Sequence, residues 1–408
     1  MQSLFILGRQ PALGIAELES LYGATAVHRV ESTAALLDVE PGDVNFARLG
    51  GSIKHCRVLN ILNTTSWGDI EKYLLRTITD HLQYVPEGKV QLGLSAYGIR
   101  INTQSMLATG LSLKKVIKKS GRSVRLVPNK DIELNSASVL HNDLTGPTGW
   151  ELVIVRSGQQ TIIAQTVHVQ DIDSYTVRDR DRPKRDARVG MLPPKLAQII
   201  INLAGKHIIP TGAVVDPNHP TNKQALAACI LDPFCGTGVV LQEARLMGYD
   251  IYGTDLEPRM IEYTQTNLEW LSHTYNVTNQ PVFCEVADAT EHTWQPIFNI
   301  VACETYLGRP FTELPNPEIL QQTIGECNLI ITKFLRNLYA QIQPGTRLCL
   351  AVPAWQVRHG QFKHLRLLDS LAELGYNRIS FEHVRHDDLI YYREDQVTAR
   401  ELLILEKK

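Results

Sequence analysis

The stretch LDPFCGTGVVLQEA, Leu231 to Ala244, closes an apolar run on Asp232, turns through Gly236 and Gly238, and passes at once into a helical pattern. Glycines in such a turn let the backbone approach a ligand closely, and a nucleoside-bearing cofactor suits the space above it. A phosphate loop would carry G-K-[ST] after the turn, and no lysine stands there; the spacing is not the dinucleotide G-x-G-x-x-G either. About 20 residues on, YDIYGTDLEPRM ends the next apolar run on Asp255, where a carboxylate can hold both hydroxyls of a ribose. Asp288, in EVADAT, ends the run after that and can accept from an adenine amino group. Phe234, Leu256 and Ala289 are expected beside these groups as cofactor contacts. Taken singly, each aspartate is as well explained as a helix cap or turn residue. Together they mark three successive strand ends, where open α/β sheets bind ligands.

A fourth apolar run, in NIVACETYLGRPF, ends on Glu304 and continues through Thr305, Tyr306 and the turn pair Gly308 and Arg309. These residues are the expected reacting loop. Trp355, in AVPAWQ, is read either as a wall of that pocket or as core, and Arg309 and Phe311 as contacts to phosphate or base.

The elements that must position these groups follow from periodicity. From about Ile230 onward, apolar runs alternate with helical patterns, which argues for a parallel sheet with crossover helices. The last stretch, RISFEHVRHDDLIYYREDQVTARELLILEKK, offers two strand-like runs around a polar turn, an antiparallel hairpin added to the sheet. Earlier, SLFILG, PALGIAELESLYG, TAALLDVE and KHCRVLNIL suggest strands around a small helix. A second unit runs from VQLGLSAYG through the helical LSLKKVIKKSG and SVRLVP to WELVIVRSG and TIIAQTVHV. Two small α/β units are expected there rather than one long sheet. Between the halves, SYTVRDRDRPKRDARVGMLPPKLAQIIINLAG is a charged tether leading into an amphipathic helix opened by a proline pair. The insertion at 206–229 has no functional account.

With 408 residues, 44% hydrophobic and 21% charged, the chain is expected to be soluble and to fold as two or three domains. No basic leader precedes the first apolar run, so no export is expected. Seven scattered cysteines without C-x-x-C spacing indicate neither a disulfide framework nor a zinc site, and the 13 histidines, among them His207, His219, His359 and His383, lack ligand spacing. A cytoplasmic protein without a metal is the expectation. The net charge of -2 is unevenly spread: residues 1–170 carry 17 Lys+Arg against 14 Asp+Glu, residues 171–195 carry 7 against 5, and the remainder carry 17 against 24. A polyanionic partner therefore belongs to the front half. There, Lys114, Lys115, Lys118, Lys119 and Arg122 lie in a segment without acids, and the i, i+4 lysine pairs concentrate like charge on one helix side. Phosphates neutralise such repulsion, although a solvated helix face is the plainer alternative. Arg180 and Arg182 in the tether are expected at the same partner, while other tether arginines pair with the interleaved aspartates.

The Gly turn and its three aspartates resemble the class I S-adenosylmethionine-dependent methyltransferases, and DPFCGTG resembles their amino-methylating branch that acts on RNA. RLGGSIKHCRVL, the basic helix and the tether are similar to archaeal-type tRNA guanine N2-methyltransferases, so the likeness covers nearly the whole chain. It implies a ferredoxin-like domain at 1–65, a THUMP domain at 66–172, a linker at 173–192 and a Rossmann-like, seven-stranded methyltransferase domain at 193–408. It also implies methylation of a guanosine N2 in tRNA, typically nucleotide 10, with the helix from Met191 to Leu203 beside the cofactor's methionine end. In amino-methyltransferases the fourth strand ends in [D/N]-P-P-[Y/F]: the acid or amide and the next carbonyl accept from the target amine, and the ring stacks on the extruded base. Here Glu304, Thr305 and Tyr306 hold that place with one methylene more and both prolines absent. Two readings follow, an active variant site and a silent tRNA-binding protein. A DNA amino-methyltransferase would more naturally keep N-P-P-Y, and no S-G-G-x-D-S loop of a thiouridine synthetase occurs. Monomer and homodimer, one methyl or two, and the need for a protein activator all stay open.

Overall fold

A computed structural model describes residues 2–186, 191–205, 228–277 and 282–408. Arg188, His207, His219 and all but the last two residues of the 206–229 insertion lie outside them. The chain divides into two compact units, one made of Met1–Ile15, Gly23–Ala47 and Gly51–Ser174, the other of Ala16–Tyr22, Arg48–Gly50 and Tyr175–Lys408.

The first unit is built on β1 (Ser3–Leu7), β2 (Val27–Glu31), β3 (Ala34–Leu37), β4 (Ser52–Leu62), β5 (Val90–Tyr97), β6 (Val124–Leu126), β7 (Gly149–Ser157) and β8 (Gln160–Val169). They form one sheet in the order β2-β3-β1-β4-β8-β7-β5-β6. The expectation of two separate small units is corrected by β4, which pairs antiparallel with β1 along one edge (Ser3↔Arg57) and with β8 along the other (Lys54↔Val169 to Leu62↔Thr161). Beneath the join, buried Lys54 pairs with buried Glu151 and donates to Leu134 O at 2.7 Å, while Glu151 accepts from Ser95 Oγ at 2.6 Å and Thr166 Oγ1 at 2.5 Å. Charges survive burial only with such partners, and these come from β4, β5, β7, β8 and the loop before α4.

Helices α1 (Pro11–Tyr22), α2 (Trp67–Leu82), α3 (Thr103–Lys119) and α4 (Ser136–His141) accompany that sheet's strands in the sequence. In α2, Ile70, Leu74, Ile78 and Leu82 recur every fourth residue and are the buried stripe. In α3, Asn102 caps the N-terminus by accepting from Ser105 N–H at 2.8 Å, and Met106, Thr109, Gly110, Leu113 and Ile117 face inward.

The second unit takes up the tether as α5 (Ile172–Thr176) ends, in a π turn over Val177–Asp181. Then follow α6 (Pro194–Ala204), β9 (Cys229–Asp232), α7 (Val239–Leu246), β10 (Asp250–Asp255), α8 (Pro258–Tyr275), β11 (Val282–Val286), β12 (Ile300–Glu304), α9 (Pro317–Tyr339), β13 (Arg347–Arg358), β14 (Gln361–Lys363), β15 (Tyr376–Arg378), β16 (Ile390–Tyr391) and β17 (Thr398–Lys407). Along its path the sheet has seven strands, β11-β10-β9-β12-β13-β17-β15, with β14 and β16 as short additions on β13 and β17. β9 to β13 run parallel, and β17 runs antiparallel to β13, β15 and β16. The expected terminal antiparallel pairing is thus present, with β16 inside its long connection.

The longest helix, α9, starts at Pro317 behind Asn316, whose side chain accepts from Ile319 N–H at 2.9 Å. Leu320, Ile324, Cys327, Ile331, Phe334, Leu335 and Leu338 form its buried stripe against Val301, Cys303, Leu350 and Trp355 of the sheet. Burying each large apolar side chain stabilises by about 1.5–3 kcal/mol. Phe334 is fully buried, and its truncation to Ala should cost about 3–5 kcal/mol.

Candidate functional site

The parallel block brings the strand-end carboxylates together. Chain order reverses between β9 and β12, which are neighbours, so the crevice where α/β sheets bind ligands opens where Asp232 and Glu304 end adjacent strands. Asp255 ends β10 on the other side of β9, and Asp288 follows β11 beyond it.

Asp232 is 1% exposed and accepts from Phe234 N–H at 3.2 Å. Burial holds its carboxyl well above the usual carboxylate range, and the nearby Asp255 and Glu304 carboxylates push the same way. Asp232 is therefore an enclosed, turn-fixing group beneath the site. The Gly turn is braced from α8: Thr264 Oγ1 donates to Gly236 O at 2.8 Å, and Asn267 Nδ2 donates to Thr237 O at 2.9 Å. Gly238 has φ +80, and a Cβ there would lie 2.9 Å from the Thr264 side chain. Phe234 packs edge-to-face on Phe334, with ring centroids 5.1 Å apart.

Asp255 is only partly buried, and it receives Gly236 N–H at 2.9 Å on Oδ2 and Glu257 N–H at 3.0 Å on Oδ1. Burial raises its pKa and these two donors oppose the rise. A carboxylate has about four acceptor positions, so two donors leave capacity for a diol. Leu256, next in sequence, is 63% exposed and offers an apolar face. Asp288 takes Thr290 N–H at 2.8 Å and Thr290 Oγ1 at 2.7 Å, both on Oδ1, while Ala289 is buried. The donor set and the glycine cradle fit a nucleoside-bearing group.

In the loop after β12, Glu304 Oε1 accepts from Arg400 Nε of β17 at 2.8 Å. Thr305 is buried and its N–H donates to Ala351 O at 3.0 Å, a bond that a proline at this position could not make. Tyr306 keeps 41% of its surface exposed, and partial burial raises its phenol pKa. Gly308 has φ +82, with Thr323 and Cys327 of α9 so close that a Cβ would meet them at 2.6 and 3.1 Å. Arg309 lies 3.6 Å from Glu326, both half-exposed. Phe311 and Trp355 pack in the core, Trp355 with no exposed surface, which favours the core reading of that tryptophan over the pocket wall.

The basic residues separate into two kinds. Lys115, Lys118 and Lys119 are exposed on α3, Lys114 is half-buried there, and Arg180 is exposed in the tether. Arg122 instead donates to Val85 O at 3.1 Å and Pro86 O at 2.6 Å, clamping the turn after α2. Arg182 is 3% exposed, and its three guanidinium nitrogens are enclosed without a hydrogen-bond partner among the described residues. The expectation that Arg122 and Arg182 present charge to a polyanion is corrected accordingly: one is engaged by main-chain carbonyls, the other is enclosed where the tether lies along α7 and α8. That lie is fixed by Arg178 Nε on Glu243 at 2.7 Å, by Lys184 N–H on Asn267 Oδ1 at 2.9 Å, and by Arg259 on Asp186 at 3.1 Å. Helix α6 packs against α7, β12 and β13. Among the described residues, no cluster of His, Cys, Asp and Glu is disposed to hold a metal ion, and no helix is long and apolar enough to cross a membrane.

Sequence reasoning missed Arg400, Thr264 and Asn267; only Arg400 carried a signal, as the lone base in the apolar run TARELLIL.

No protein-family model matches the chain. It is 29% identical over 165 residues to the tRNA (guanine(10)-N2)-dimethyltransferase of Methanothermobacter thermautotrophicus, covering 40% of this chain and 39% of that protein. It is 37% identical over 124 residues to the protein of the same name from Pyrococcus abyssi, covering 29% of this chain and 30% of that one. The chain thus spans well under half the length of the curated relatives it matches. Among solved structures, TrmN from Thermus thermophilus aligns over 100% of both chains with a TM-score of 0.51 at 15% identity, a likeness of fold.

Proposed function

We propose that this chain is a cytoplasmic methyltransferase that moves a methyl group from S-adenosylmethionine to the exocyclic N2 amine of a guanosine in tRNA, position 10 being the favoured nucleotide. One observation carries the reading: Asp232, Asp255, Asp288 and Glu304 stand at the carboxyl ends of four neighbouring parallel strands, about the point where chain order reverses and beside a glycine turn. The tRNA (guanine(10)-N2)-dimethyltransferase names of the two archaeal relatives support the substrate. In this reading 1–65 is ferredoxin-like, 66–172 a THUMP domain, 173–192 a linker and 193–408 the methyltransferase domain.

When bound, S-adenosylmethionine supplies an electrophilic sulfonium methyl. Gly236 and Gly238 give the backbone approach, Asp255 holds the ribose hydroxyls, Leu256 and Phe234 offer apolar surface, and Asp288 with Ala289 lines the adenine. Glu304 and the carbonyl after it accept from the guanine amine, which keeps the nitrogen lone pair aimed in line. Tyr306 stacks on the base. Methyl transfer forms the N–C bond as the S–C bond breaks, and the amine proton leaves through the acceptor to solvent. Lys114, Lys115, Lys118, Lys119, Arg180 and Arg309 contact RNA.

Incubating the protein with methyl-labelled S-adenosylmethionine and bulk tRNA, then digesting to nucleosides, tests this. Label is expected in N2-methylated guanosine. Its absence beside an active control enzyme overturns the proposal in favour of a tRNA-binding protein without transfer.

A further inference from the structure

We propose that Arg400 is a positioning residue for the reacting loop, fixing the Glu304 carboxylate through a buried side-chain pair where loops of the [D/N]-P-P-[Y/F] kind use prolines. The inference rests on the methyl transfer proposed above. Three features of the geometry point to it.

The main chain at Glu304 is already held without proline. Thr305 N–H donates to Ala351 O at 3.0 Å, which carries the β12–β13 ladder one residue past Glu304. What stays unconstrained is the side chain, which has one more rotatable bond than aspartate. Arg400 removes that freedom: Nε donates to Oε1 at 2.8 Å, with the two side chains only 9% and 15% exposed.

The pair also spans an unusual path. Glu304 lies opposite Ala351 of β13, whereas Arg400 of β17 lies opposite Pro353, two residues further along the same face. Glu304 therefore reaches over a strand whose intervening side chains are short. Aspartate is one methylene shorter and would draw its carboxylate back from Arg400, so the added methylene and Arg400 belong together. Arg400 engages Oε1 and leaves Oε2 as the acceptor for an amine.

Stability is a poor explanation for the pair, because enclosing two charges costs about as much as their attraction returns. Arg400 also supplies the positive charge beside a carboxylate at the end of β12, next to the end of β9.

The test is a double-mutant cycle on methyl transfer to tRNA, comparing wild type, R400M, E304D and the double variant, with R400K added. R400M is expected to lower kcat by about 10- to 100-fold while leaving KM for tRNA and for S-adenosylmethionine within about twofold. R400K should recover part of the loss. E304D should lose about tenfold in kcat alone and almost nothing further in the R400M background, since the partner it can no longer reach is gone. Wild-type or higher kcat in R400M overturns the inference, the higher value meaning that Arg400 sequesters Glu304. If R400M does not fold, E304D decides: undiminished kcat overturns the inference, a tenfold loss supports it. A wild type that puts no label into guanosine overturns the methyl-transfer reading and this inference together, whereas an active wild type with an unaffected R400M sinks only the role of Arg400.

Discussion

Asp232 and Asp255 end neighbouring strands but meet different surroundings, and the difference assigns them different work. Asp255 keeps part of its surface and acceptor capacity, so its removal should be felt by the cofactor. Each hydrogen bond to a charged acceptor contributes about 1.5–3 kcal/mol, so D255A should bind S-adenosylmethionine roughly 100-fold more weakly in a calorimetric titration. D255N, which retains one carbonyl acceptor, should fall between. Unchanged affinity in D255A would remove Asp255 from the ribose site. Asp232 is enclosed, and its carboxyl titrates higher in the folded than in the unfolded chain. The native state therefore keeps a proton that the unfolded chain releases. Stability from that proton is complete below the ordinary carboxylate range and is lost as pH rises from there toward the raised value. D232N stays neutral throughout and still accepts from Phe234 N–H. As pH rises above the ordinary carboxylate range, about pH 4, the urea midpoint of the wild type should fall relative to that of D232N. Parallel curves would mean that Asp232 is ionised in the fold.

At the scale of elements, turns decide whether strand ends become a site. Gly308 sits at φ +82 against α9, so G308A combines a left-handed backbone cost of about 1–2 kcal/mol with a clash on Thr323. Its melting temperature should drop by roughly 2–8 °C, and methyl transfer should fall with it because the loop after Tyr306 must move. A variant with full activity would show that this turn does not set the loop. Such turns, and the carboxylates before them, were legible in the sequence because each closes an apolar run, and the alternation of runs and helices named the parallel block. What the sequence hid was pairing at a distance. Arg400 is only a lone base in TARELLIL until the β13–β17 register brings it to Glu304. Ser52–Leu62 likewise reads as the end of one small unit, although it pairs on both edges and unites eight strands. The tether's charges look alike in sequence, yet Arg178 and Arg182 are buried while Arg180 is exposed.

At the scale of the whole molecule, charge is unevenly spread: residues 1–170 carry 17 Lys+Arg against 14 Asp+Glu, while the chain as a whole is at -2. If the proposed tRNA is bound, the basic front is the part with charge to gather it, and α3 exposes Lys115, Lys118 and Lys119 there. Lys118 and Lys119 also lie in the last turn of α3, where cations favour the helix dipole by about 0.3–1 kcal/mol each. That is the competing explanation for their presence, and salt separates the two. Each phosphate neutralised adds about 0.7–0.9 to the slope of log affinity against log salt. If Lys115, Lys118 and Lys119 all contact phosphate, replacing the three by alanine should lower that slope for tRNA by about 2–3. Affinity for S-adenosylmethionine should not change, since the residues that would hold it come from the second unit. If the lysines serve only the helix end, the triple variant should melt lower and keep the wild-type slope, and the nucleic-acid face must then be sought on another surface of the front unit.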